Sequence, residues 1–97
     1  MVTYISLLNF TDKGAQSIKE TTKRSAAARQ AAQAFGVTLR DMHWTLGAYD
    51  AVCVLEAKDE ASLMAFSMAT ATQGNVRTQS LRAFTASEVD AFLARMP

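Results

Sequence analysis

Five apolar residues in a row, Ala51-Val52-Cys53-Val54-Leu55, constrain this chain more than any other stretch. A strand with one wet face alternates apolar and polar residues, so an unbroken run marks a central strand. Just before it, Gly47-Ala48-Tyr49 forms a short loop whose glycine can take positive φ and close a hairpin. The strand over 50–57 therefore pairs with the segment upstream, 37–46. There Val37 and Leu39 share one parity, and Met42, Trp44 and Leu46 share the other. The switch near Arg40-Asp41 predicts a β-bulge that re-aims the later side chains, and it asks for cover on the second face of the sheet.

The remaining elements follow from period and punctuation. Val2 to Phe10 is a strand with apolar residues on both parities, again a sign of cover on two faces. Thr11-Asp12-Lys13-Gly14 has helix-start chemistry, and the alanine-rich stretch from Ala15 to Phe35 reads as helix until Gly36 stops it. Two β-branched residues, Thr21-Thr22, predict a bend or a short break inside that span. Asp59 caps a second helix over 60–72, ended by Gly74-Asn75, and Val76 to Phe84 is the fourth strand. Thr85-Ala86-Ser87-Glu88 has the form of a capping box, and Val89, Phe92, Leu93 and Met96 lay an apolar stripe on a last short helix.

The order β-α-β-β-α-β-α is that of an α+β protein, a ferredoxin-like βαββαβ sandwich with an extra C-terminal helix. With 97 residues the chain is one domain, residues 1–97. Two helices cover one face of such a sheet. The apolar residues on the other face predict a homodimer or higher homo-oligomer, with sheet against sheet or each sheet taking its partner's last helix. The alternative is a last helix folded over its own sheet.

Charge and motifs exclude several function classes. A formal charge of +1 offers no general attraction to nucleic acid or to an anionic membrane. The central strands lack the basic-aromatic run of RNA-recognition sheets, and the four glycines form no phosphate-binding loop. The apolar start of the chain lacks the basic flank of a signal peptide and the length of a membrane span, so a cytoplasmic protein is expected. Cys53 is the sole cysteine, so neither an intrachain disulfide nor a thiol-rich metal site is available, and its apolar neighbours predict a buried, inert thiol. One histidine and scattered carboxylates make no ligand set, and neither metal nor cofactor is expected.

Several short pieces together resemble the GYD family: Tyr4 to Phe10 with Thr11-Asp12 and Gly14, Lys19-Glu20-Thr21-Thr22-Lys23-Arg24, Trp44-Thr45-Leu46-Gly47-Ala48-Tyr49-Asp50, and Gly74-Asn75-Val76-Arg77-Thr78 with Leu81-Arg82-Ala83-Phe84. They stand in family order and cover most of the chain. One departure is Thr22, where the family often has a proline. The resemblance implies a compact α+β domain of bacterial type, similar in architecture to dimeric α+β barrel proteins. It implies no assigned reaction or substrate.

Five residues are candidates for function. His43, between Asp41 and Thr45 on one parity of the second strand, is the candidate general base, although a lone histidine on a strand is commonly a surface residue. Tyr49 and Asp50 either brace the turn or line the mouth of a ligand cleft. Arg24 and Arg77 are candidate anion holders, beside the plainer reading of solvated charges. The leading expectation is a non-catalytic small-ligand-binding or self-association module. The alternative is a cofactor-independent enzyme that uses His43 or Asp50 for proton transfer on a small, partly apolar substrate.

Overall fold

In a computed structural model describing residues 1–97, the apolar run becomes β3 (Ala51–Ala57), flanked by a strand on each side. Its neighbours are β2 (Val37–Trp44) and β1 (Val2–Phe10), and β4 (Val76–Ala83) adds to the free side of β1. The order across the sheet is β2-β3-β1-β4, and every neighbouring pair is antiparallel. This is the ferredoxin-like arrangement expected from the element order.

The bulge lies where the parity switch puts it. Leu39 pairs with Leu55, but Asp41 pairs with Val54, so Arg40 is the extra residue. Its consequence differs from the expectation. The parity switch assigns Met42 and Trp44 to the second face, yet they fall opposite Cys53 and Ala51, on the same face as Val37 and Leu39. An extra residue shifts all later side chains by one, and this cancels the switch. The Trp44 indole Nε1 accordingly donates to Thr21 Oγ1 on the helix side at 3.0 Å. β2 also ends at Trp44 rather than Leu46, which leaves Leu46 fully exposed in the hairpin loop.

The stretch expected to bend or break near Thr21-Thr22 does break, into α1 (Asp12–Gln16), a 3-10 turn (Ile18–Glu20) and α2 (Thr21–Ala34). The break precedes Thr21-Thr22 because Ser17 leaves helical geometry (φ −110°, ψ 37°), and the two threonines open the new helix. Arg24 holds the corner by donating from Nη1 to Ser17 O and Oγ, at 2.8 and 2.9 Å. Beyond β3, α3 (Glu60–Gln73) starts at Asp59, which accepts from Ser62 N at 2.8 Å, and bonding by the Ser62 side chain and then its backbone lowers the Asp59 carboxyl pKa. Gly74, at φ 73°, ends α3 in the left-handed region.

α2 and α3 cover one face. Between them and the sheet lie Leu39, Cys53, Leu55, Leu63 and Phe66, with Phe35 tilted on Phe66 at 5.8 Å between ring centroids. The core is thin. Only 11 of 97 residues are buried, and neither the second sheet face nor the last helix is covered.

That last helix, α4 (Ala86–Leu93), carries the full capping box: Thr85 Oγ1 accepts from Glu88 N, and Glu88 accepts from Thr85 N. The second bond holds the Glu88 carboxyl below its usual range. The helix does not fold back over its own sheet, and none of its residues is buried. It projects as an arm, held by an edge-on contact between Phe84 and Phe92 (5.1 Å) and by Arg82, which lies over Phe84 (4.4 Å) and 3.7 Å from Glu88. The arm stretches the chain to a radius of gyration of 14.8 Å, against about 12.5 Å for a compact domain of this length. No helix is long and apolar enough to cross a membrane.

Candidate functional site

Three loops meet at the end of the sheet where β1 finishes, and side chains latch them together. Asp50 Oδ2 accepts from Phe10 N at 2.9 Å, while Asp50 N donates to Leu8 O at 2.8 Å. Thr11 donates from Oγ1 to Gly74 O, and its backbone N donates to Asn75 O at 3.1 Å. Gly14 sits so close to Asn75 that a Cβ there would strike the Asn75 carbonyl. Lys13 Nζ closes the latch on Gln73 O at 2.8 Å. Asp50, Thr11, Gly14, Gly74 and Asn75 thus serve first to hold the β2–β3 hairpin, the start of α1 and the end of α3 in one corner. The Asp50 carboxylate is engaged by backbone, and Thr45 Oγ1 donates to Tyr49 O to tighten the hairpin.

The uncovered sheet face is a separate surface. Ile5 and Leu7 of β1, Val52 and Val54 of β3, and Leu81 of β4 form its apolar middle. Polar residues surround it. His43, opposite Val52, and Asp41, opposite Val54, stand on β2, and Arg77, opposite Asn9, stands on β4. The Tyr49 hydroxyl bonds Gln79 Oε1 across this face at 2.8 Å. The Arg40–Glu56 ion pair neutralises two further charges on the β2 side.

The covered side holds a cavity of about 360 Å³ between α2, α3 and the sheet. Leu8, Phe35, Leu39, Met42, Leu55 and Phe66 are among its apolar lining. Cys53 faces it and is nearly sealed from solvent. Burial pushes the thiol up to about 11, with the Ser6 hydroxyl pulling the other way, so this is the inert cysteine its neighbours predict. Arg24 is the one cationic side chain in the lining.

The five candidate residues are therefore divided. His43 and Tyr49 share the open face, Arg24 lies at the cavity, and Asp50 braces the corner. Arg77 borders a shallow depression with Asn9, Thr11 and Asp12. Arg24 does not meet Arg77 or Arg82: Arg82 lies over the Tyr4 and Phe84 rings and 3.7 Å from Glu88. His43 and Asp50 are not paired by any hydrogen bond, and no group of three or more metal-ligating side chains occurs. Sequence reading missed the cavity, and its only sign there was the small residues of α2, among them Ser25, Ala28 and Ala31.

A four-stranded antiparallel sheet with helices on one face and a latched corner defines a ferredoxin-like α+β domain. Two solved structures share it: MtbAldR (TM-score 0.67, 14% identity, 87% of this chain) and TTHA0845 from Thermus thermophilus (TM-score 0.56, 23% identity, 89% of this chain and 96% of that one). The chain spans about half of MtbAldR, 53% of its length. A model of the GYD domain matches residues 4–93, and the chain belongs to that family. A relative from Thermus thermophilus is 33% identical over 94 residues, which are 96% of this chain and 99% of that protein. It is named glutamine synthetase and cystathionine beta-lyase binding protein.

Proposed function

We propose that this chain is a non-catalytic protein-binding module whose first partner is a second copy of itself. The observation that carries the reading is the arm. Val89, Phe92, Leu93 and Met96 are 39–67% exposed along one stripe of α4 and the residues after it, and the same chain leaves an apolar sheet face bare. Contiguous apolar surface of this kind marks an interface. Each copy has one arm and one bare face, so a two-fold pair can exchange them reciprocally, and each surface is covered once. A net charge of +1 opposes such pairing only weakly. The apolar middle and polar rim of the sheet face match the anatomy of protein interfaces, with His43, Arg77 and the Tyr49–Gln79 pair at the rim.

The relative's name supports extending the reading from self-association to enzyme partners. The paired module would hold an enzyme of the glutamine synthetase or cystathionine beta-lyase kind without reacting on it. A reducing compartment such as the bacterial cytoplasm suits its single free thiol. Hydrogen–deuterium exchange at rising protein concentration tests the self-association step. Protection of the α4 amides is expected to grow as copies pair, ahead of any change in β3. Exchange in α4 that is fast and independent of concentration would overturn the reading.

A further inference from the structure

We infer that the cavity between α2, α3 and the sheet binds a small carboxylic acid with an apolar body. Its volume of about 360 Å³ lies within the roughly 300–1,000 Å³ of small-molecule sites. An empty apolar cavity costs stability in proportion to its size, and here a longer side chain at Ala28 would remove much of it. Ser25, Ala27, Ala28 and Ala31 of α2 instead keep the space open.

The charge in the lining decides the chemistry. Arg24 donates three hydrogen bonds, to Ser17 O, Ser17 Oγ and Gly14 O. A guanidinium carries five N–H donors, so two remain for a ligand. No carboxylate lies within ion-pair distance of it: the ion pairs of the chain are Lys23–Glu20, Arg40–Glu56 and Arg82–Glu88. Arg24 is half-buried, and Thr21, the first residue of α2, lines the cavity beside it, so the positive end of the helix adds to the same field. Asn75 and Thr78 supply further polar groups in the lining. A single cation at an apolar cavity matches a monocarboxylate, because a cationic ligand would be repelled and a fully apolar one would leave the guanidinium desolvated and unpaired.

This site does not depend on the proposed dimer, and its test reads separately. Octanoate and 3-phenylpropionate, each beside its alcohol, are titrated against the purified chain by thermal shift and by isothermal titration calorimetry. The acids are expected to raise the melting temperature and to give a saturable heat of binding, with the alcohols about tenfold weaker. Arg24→Gln should erase the preference for acid over alcohol, and Arg24→Lys should restore part of it. Ala28→Leu should abolish binding of every probe while the mass of the assembly stays unchanged. Absence of any effect from the acids would overturn the assignment. So would acid binding that survives Ala28→Leu intact, or a preference for acids unchanged in Arg24→Gln.

Discussion

The two faces of this sheet are built from similar side chains and have different surroundings. On β3, Ala51, Cys53, Leu55 and Ala57 are buried, while Val52 and Val54, pointing the other way, are only half-covered. On β1, Leu8 packs against the core, whereas Ile5 and Leu7 look out from the bare face. Hydrophobicity alone does not separate the two sides. What separates them is the βα connections, which place α2 and α3 over one face and leave the other to whatever the chain meets. The covered side carries the stability of the domain, and the bare side, with the arm, carries its associations.

The sharpest way to break this division is to attack the covered side. Phe66→Ala removes a ring that packs on Phe35 and lines the cavity, and should cost about 3–5 kcal/mol in denaturant unfolding. A loss as small as that of a surface change would mean that α3 is not holding the fold. Alkaline pH probes the same side through Cys53. Its folded pKa is raised, so the stability it contributes is present below about pH 9 and fades as pH climbs toward 11. The difference in stability between wild type and Cys53→Ala should therefore shift by about 2 kcal/mol across that window, against wild type. A constant difference would show that the thiol is exposed to solvent.

The corner should respond less. Gly14→Ala drives a Cβ onto the Asn75 carbonyl and should cost about 1–3 kcal/mol, read as a lower urea midpoint. On the arm, Thr85→Ala removes the cap of α4 at about 1 kcal/mol. Because α4 packs so little on its own body, the loss should appear as fraying of α4 in amide exchange, with the unfolding midpoint of the sheet unmoved. Acid should act in the same place: the depressed Glu88 carboxyl stabilises the box above its unfolded pKa, and this is lost as pH falls through the folded one. Smallest of all, Leu81→Ser on the bare face should change monomer stability by within about 0.5 kcal/mol, yet weaken self-association at the same time. A large loss of monomer stability there would erase the distinction between the faces.

Much of the fold could be read from the residues because its signals are local. Asp59 before Glu60, Thr85 with Glu88, and Gly74 after Gln73 mark helix ends through bonds that span three or four positions. The bulge at Arg40 was also legible, from the change of parity between Leu39 and Met42. Its effect on Met42 and Trp44 was not, because counting alternate positions carries on through the extra residue that the backbone skips. The short break was legible from Thr21-Thr22, while its exact place before Thr21 goes with Arg24 reaching back to Ser17, seven positions away, which no propensity records. The site divided along the same line. Asp50 and Tyr49 were visible as turn residues, but the cavity is a space left between Ala28 on one element and Leu55 on another, and an absence between distant elements has no signature in sequence.

Sedimentation equilibrium of the freshly purified chain at micromolar concentration tests the central claim most directly, with Phe92→Glu run beside it. The account predicts the mass of two chains for wild type and of one for the variant, both with native secondary structure. A wild-type chain that sediments as a monomer at every concentration would contradict it.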